Sequence, residues 1–333
     1  MTSMNGPASW SERVRALSRG ELTPVVPRPS ATVLLLRDTT AGPAVHMLLR
    51  RASMAFAGGA YAYPGGAVDP RDERPVGWAG PALEDWSAVL GVPPGRAQAV
   101  VCAAVRETFE ESGVLLAGPD AHTVVADVTG PGWEAERAAL VTRDLAFADF
   151  LAGRDLVLRS DLLAPWARWI TPEFEERRYD TWFFLARLPE GQHTRDVSGE
   201  ADRTFWLRPA EAVAGYDSGA MAMLPPTITT LRELLPYGSA AAALAAAPGR
   251  DLNPVLATAA LGPSGDVVLS RPGHEEFTRV LPAPQKAPQK APQKAPAKAP
   301  QKTPRTAPRT ASRTAAQTTT PPTPPHPPAR EAR

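Results

Sequence analysis

The segment Arg106-Glu107-Thr108-Phe109-Glu110-Glu111-Ser112-Gly113-Val114 places three carboxylates within five positions. On a helix, at 100° per residue, Glu107, Glu110 and Glu111 fall within an arc of ~100°. Val101, Cys102, Val105 and Phe109 take the opposite side. Like charges at these spacings repel, and each pair costs an isolated helix a few tenths of a kcal/mol, roughly 0.2–0.5. Acids near a helix C-terminus also oppose the helix dipole. A sequence that keeps them there calls for a counter-charge, and a hard divalent cation bound through oxygens and shared with phosphates is the natural one. Three acids alone would more often be a solvated surface. Two neighbours tip the balance: Arg106 can orient a carboxylate, and Gly113 can close the helix in the left-handed conformation. Upstream, Tyr63-Pro64-Gly65-Gly66 forms a turn whose glycines let the backbone approach a ligand closely.

Other reactive residue types carry less. Cys102, the lone cysteine, sits on the apolar side of the helix and reads as a small core residue. It excludes an intramolecular disulfide and fits a reducing compartment. His46, His122, His193 and His274 lack metal-ligand spacing, which argues against zinc. No P-loop or dinucleotide fingerprint follows a strand. The N-terminal residues lack the apolar core of a signal peptide, and no stretch approaches the ~20 apolar residues of a membrane span. A cytoplasmic location with no membrane association is the expectation.

The elements that must position the acids can be read from patterning. Ala31–Arg37 and Ala44–Arg50 are short apolar runs joined by a loop, a strand pair. Ala57–Gly66 is a strand fragment between glycine pairs, ended by Pro64. Residues 69–95 read as an insertion with a short helix around Ala82–Leu90, and Arg96–Leu116 as the long helix. Further strands fall at Trp166–Ile170, Asp180–Leu188 and Thr204–Leu207, with helices at Pro209–Ala214 and Pro226–Leu235 and a strand at Asp266–Ser270. The mixture argues an α/β or α+β fold.

Composition divides the chain. Its 333 residues include 38 prolines, and from Leu281 onward they cluster in a Pro/Ala/Lys/Thr tract. Residues 282–333 carry ten basic side chains against Glu331, a net of +9, which leaves −8 for the rest of a chain whose total is +1. No lysine precedes Lys286. The expected organisation is a flexible segment at 1–24, one domain at 25–281 and a disordered tail at 282–333 with polyproline-II character. An acidic body with a basic tail is not a specific nucleic-acid binder. The tail reads as a tether, with contact to polyanions or a protein partner as the alternative.

The string RETFEESGV resembles the second half of the Nudix box, G-x5-E-x7-R-E-U-x-E-E-x-G-U, where U is apolar. Gly66 stands in its first position and Asp72 in that of the first glutamate. The box is split, because 40 positions separate Gly66 from Arg106 where the pattern has 14. Thr108 departs from the apolar U. The resemblance implies a Nudix-type α/β/α sandwich with a mixed sheet and an insertion inside the box. It implies Mg²⁺ or Mn²⁺ held by Glu107, Glu110 and Glu111, with Arg106 holding Glu107, the Gly65 carbonyl a further ligand, and Glu200 an extra ligand or base. A pyrophosphate needs such cations to neutralise it and to lower the pKa of water.

The insertion, together with Leu224-Pro225-Pro226-Thr227 and Leu231-Arg232-Glu233-Leu234, resembles the Nudix subgroup that includes peroxisomal acyl-coenzyme A diphosphatases. A coenzyme A signature, L-L-T-x2-R-[SA]-x2-L-x3-G-x3-F-P-G-G, is half matched: Arg51-Ala52 and Gly59-x3-Tyr63-Pro64-Gly65-Gly66 fit, while His46, Met47, Leu48 and Ala55 do not. The resemblance implies substrate binding by Arg51, Gly59, Tyr63 and Gly66. The expected substrate is a small nucleotide-containing molecule: coenzyme A or acyl-coenzyme A, or else a dinucleotide or nucleotide sugar. A non-catalytic binding module is the third reading, and the clustered acids argue against it.

Overall fold

The computed structural model of the chain describes residues 8–54 and 57–282. Helix α1 (Ala8–Ser18) precedes a long hairpin, β1 (Arg28–Thr39) and β2 (Gly42–Arg50), and two short strands, β3 (Tyr61–Ala62) and β4 (Gly65–Ala67), flank Pro64. A 3-10 turn at Pro70–Glu73, strand β5 (Trp78–Ala79) and helix α2 (Leu83–Leu90) lead into the long α3 (Pro94–Ser112). Next come β6 (Ala117–Gly118), α4 (Pro131–Val141), α5 (Phe147–Gly153) and β7 (Val157–Arg159). Strands β8 (Ala164–Ile170), β9 (Tyr179–Arg187) and β10 (Ala201–Leu207) are followed by α6 (Pro209–Asp217), α7 (Pro225–Leu234) and α8 (Ala240–Ala246). Four short strands close the described region: β11 (Val255–Leu256), β12 (Thr258–Leu261), β13 (Val267–Ser270) and β14 (Arg279–Leu281).

The main sheet runs β10-β2-β1-β9-β8-β11, with β3 on β2 and β4 on β1. It is mixed, since β1 is parallel to β9 and antiparallel to β2 and β4. Successive side chains of β1 alternate between faces. Val33 and Leu35 face α2, α3 and α5, whereas Leu34 and Leu36 face α6, α7 and α8. A strand covered on both sides needs no polar face, which is why ATVLLLR reads as a continuous apolar run. The result is the expected α/β/α sandwich. Among the described residues no single helix is long and apolar enough to cross a membrane.

Helix α3 begins at Pro94, whose missing N–H is no loss in a first turn. It stops at Ser112 rather than at the expected Leu116, because Gly113 takes φ 71° and donates its N–H to the Phe109 carbonyl at 2.9 Å. Val114, Leu115 and Leu116 are buried nonetheless, as chain leaving the helix through the core. The reading of residues 1–24 as flexible is corrected over the described part. Helix α1 buries Val14 against Phe174, Ala257, Val267 and Leu269, and Arg13 Nε donates to the Phe174 carbonyl at 2.6 Å. Patterning also left residues 119–163 unread, and they hold α4 and α5. Phe150 of α5 stacks on Phe109 of α3 with ring centroids 5.3 Å apart, and Trp133 of α4 meets Phe109 edge-on. The expected disordered tail lies, apart from Pro282, outside the described residues.

Candidate functional site

Arg106 is the hub of the acidic end of α3. Its Nη1 donates to Glu107 Oε1 at 2.7 Å and to Glu110 Oε1 at 3.1 Å. Its Nε and Nη2 grip Asp72 Oδ1 and Oδ2 at 3.1 and 3.0 Å, and Nη2 also reaches the Ala67 carbonyl at 3.0 Å. Asp72 belongs to the 3-10 turn, where its Oδ2 accepts the Asp69 N–H in a capping box. Asp72 therefore touches Arg106 across a separation of 34 positions, which ties the start of the insertion to the helix that follows it.

The glycine turn lies against the same helix. Gly65 N–H donates to Glu111 Oε2 at 2.8 Å. A Cβ on Gly66 would stand 2.5 Å from the Glu107 carboxyl carbon, so a side chain there would displace that carboxylate from its place on Arg106. β4 is held in place by its ladder to β1, with Thr32 opposite Gly65 and Ala31 opposite Gly66. The acidic face is thus not a solvated surface, for Glu110 and Glu111 are only 8% and 7% exposed.

Burial of charge has its cost here. Desolvation pushes Glu107 up to about 7 against the pull of Arg106. It raises Glu110 and Glu111 as well, and the nearby Glu107 charge adds to the rise at Glu111. Asp72, Glu107 and Glu110 place three carboxylates around one guanidinium, and Glu111 stands beside them on the Gly65 N–H. Each of the three glutamates has one oxygen committed, to Arg106 or to Gly65 N–H. Their second oxygens make no hydrogen bond among the described residues. Excess negative charge and hard oxygen donors suit a divalent cation in kind. Among the described residues no group of three His, Cys, Asp or Glu side chains already stands arranged to hold one.

These acids form one wall of a cavity of about 150 Å³. Ser198, Gly199 and Glu200 line it as well, together with Leu140, Val141, Arg143, Leu145 and Phe147, from α4 to α5. The loop bearing Glu200 is tied to α3 by Arg137, whose Nη1 donates to the Glu110 carbonyl at 2.8 Å and the Val197 carbonyl at 3.4 Å. Arg195 adds ties to Glu134 and to the Gly113 carbonyl. Glu200 itself pairs with Arg50 at 3.4 Å, its side chain 58% exposed.

The structure thus brings together Arg106, Glu107, Glu110, Glu111, Gly65, Gly66 and Glu200. It does not bring in the rest of the expected substrate set. Arg51 lies outside the cavity, half exposed and 3.9 Å from Asp202. Gly59 serves the tight connection from β2 to β3, with φ 76° and its N–H on the Arg50 carbonyl. Tyr63 is corrected outright. Its ring belongs to the core on the far side of the sheet, and its hydroxyl bonds the Thr227 carbonyl and Thr230 Oγ1, both at 3.0 Å. Tyr63 lies between β3 and β4, three positions before the Gly66 that approaches Glu107, and packs on the opposite face of the sheet. Residues 140–147 escaped the sequence reading altogether. Asp72 was seen only as a place in a motif, although Asp69-Pro70-Arg71-Asp72 has the makings of a capped turn.

The chain is similar to known proteins. Residues 91–234 match the family described as the NUDT19 Nudix domain. The acyl-coenzyme A diphosphatase NUDT19 of Gallus gallus is 27% identical over 240 residues, covering 60% of this chain and 63% of that protein. Its Homo sapiens namesake is 28% identical over 229 residues, covering 58% and 60%. The chain spans about 60% of the length of the curated relatives it matches. Among solved structures, a Nudix hydrolase from Alicyclobacillus acidocaldarius aligns with a TM-score of 0.57 and 27% identity over 69% of this chain and 99% of that one.

Proposed function

We propose that this chain, whose fold is that of the Nudix hydrolases, hydrolyses the pyrophosphate bond of coenzyme A or an acyl-coenzyme A. The reaction adds one water and gives (acyl-)phosphopantetheine and 3′,5′-ADP. The observation that carries the reading is the set of three largely enclosed glutamates, each with one oxygen fixed, Glu107 and Glu110 on Arg106 and Glu111 on the Gly65 N–H, and one oxygen free. Mg²⁺ or Mn²⁺ suits such oxygens, and when bound it would neutralise phosphate charge and lower the pKa of water. Glu107, Glu110 and Glu111 would hold it, with Glu200 and the Gly65 carbonyl within the same neighbourhood.

The chain's own residues do the rest. Arg106 and the Gly65 N–H fix the acids in orientation. Glu107, raised by burial to about 7, is suited to exchange a proton near neutral pH. The apolar wall from Leu140 to Phe147 limits water at the opposite side. The cavity is smaller than the ~300–1,000 Å³ that encloses a drug-sized ligand, so it suits a diphosphate whose two substituents extend outside. Coenzyme A as the substrate is supported by the names of the relatives and by the split box.

Purified protein with Mg²⁺ or Mn²⁺ should be offered coenzyme A, NADH, ADP-ribose and a nucleotide sugar, with products identified by mass. Coenzyme A should show the highest kcat/KM. Robust cleavage of another member of the panel without cleavage of coenzyme A would replace the substrate and keep the hydrolase.

A further inference from the structure

We propose that Arg143 is the cation that binds a phosphate of the scissile diphosphate, opposite the carboxylate wall; this rests on the hydrolase reading above. Arg143 lines the cavity and lies close enough to Glu110 for its charge to act on that carboxylate. The other cations that line it are already engaged. Arg106 holds Asp72, Glu107 and Glu110, and Arg71 clamps Asp69 with Nε and Nη2, both at 2.9 Å. Among the described residues, no hydrogen bond or ion pair occupies the Arg143 guanidinium. Its neighbours in the wall, Leu140, Val141, Leu145 and Phe147, offer it no partner.

The backbone gives the second observation. Helix α4 ends at Val141 with Thr142 as its cap, and Arg143 follows in the left-handed region at φ 64°. Glycine is the residue that favours this position after a helix. Arginine is held there by two contacts: its N–H donates to the Leu140 carbonyl at 2.9 Å, and its carbonyl accepts from Arg71 Nη1 at 2.9 Å. Arg71 sits in the same turn as Asp72, so the turn that sets Arg106 also sets Arg143. Arg143 is exposed, so water can serve its charge; the strained backbone that sets this residue on the lining of the acidic cavity is a sign of use rather than of packing. A guanidinium that lines the same cavity as clustered glutamates and pairs with none of them fits a phosphate that cations draw into that cavity.

The test uses the full chain and the variants Arg143→Gly and Arg143→Lys. Glycine removes both the charge and the strain, so a structural role and a binding role move in opposite directions. Binding of inorganic pyrophosphate with Mg²⁺, measured by calorimetry, should weaken roughly ten- to hundredfold in Arg143→Gly, the scale of a lost charge-assisted contact. Arg143→Lys should fall between. The KM for coenzyme A and that for dephospho-coenzyme A should rise together, and the melting temperature of Arg143→Gly should match or exceed the parent. Unchanged pyrophosphate affinity, or a KM loss confined to coenzyme A, would overturn the assignment, as would a lowered melting temperature with unaltered binding. A parent that binds pyrophosphate through Arg143 yet cleaves none of the panel would keep this inference and discard the hydrolase reading.

Discussion

Asp72→Asn separates the scaffold of the site from its chemistry. In the parent, both Asp72 oxygens accept from Arg106, at 3.1 and 3.0 Å, and the two side chains are 1% and 10% exposed. The amide keeps one acceptor but presents a donor to a donor, and it removes the charge that offsets the guanidinium. Removing one member of a buried pair costs ~3–5 kcal/mol, because the other stays behind unsatisfied. Arg106 retains Glu107 and Glu110, which places the cost near the lower end, about 3 kcal/mol. At roughly 2–4 °C per kcal/mol for a domain of this size, the melting temperature should fall by about 6–12 °C. The assay is thermal unfolding followed by circular dichroism in chelator at constant pH, so that metal binding plays no part. Activity with metal should fall too, since Arg106 would lean further onto Glu107 and Glu110. A melting temperature within about 2 °C of the parent would show that the Asp72–Arg106 contact does not hold the insertion to α3, and the positioning argument would fail with it.

Tyr63→Phe should lower stability by about 1 kcal/mol, the scale of one buried hydroxyl's bonds, and leave the KM for coenzyme A unchanged in steady-state assays; a raised KM would return Tyr63 to the substrate. Burial lifts Glu107 from an ordinary 4.5 to about 7. The folded state therefore favours the protonated acid, and metal-free protein should lose stability as pH rises through that window. A divalent cation favours the ionised acid, so its stabilising effect should grow from pH 5 to pH 8 in thermal shift assays; a shift independent of pH would count against the carboxylates as ligands.

Much of the site was legible because it depends on local spacing. The i, i+3, i+4 pattern of Glu107, Glu110 and Glu111 needs only a helix, and Gly113 marks where that helix ends. The sheet was legible in outline, since a doubly covered strand such as β1 must be apolar throughout. What escaped was long-range. Nothing in the local sequence says that Asp72 returns to Arg106, because that depends on how residues 73–93 pack α2 against α3. Tyr63 was misread because a glycine–proline turn does not show which way its neighbours point, and only the pairing of β4 with β1 settles it. The wall from Leu140 to Phe147 left no motif. Its key residue, Arg143, occupies a backbone position that composition rules assign to glycine.

The most direct measurement is hydrolysis of coenzyme A by the parent and by Glu111→Gln, each with Mg²⁺ and with chelator. The substitution keeps the shape of a side chain that receives the Gly65 N–H and removes its charge. Turnover should require metal in the parent and fall at least ~10²-fold in Glu111→Gln, as expected when a charge-stabilising or acid–base group is lost, while the variant's metal-free melting temperature holds or rises. Turnover near the parent's in Glu111→Gln, or undiminished in chelator, would contradict the assignment of the α3 carboxylates as the catalytic centre.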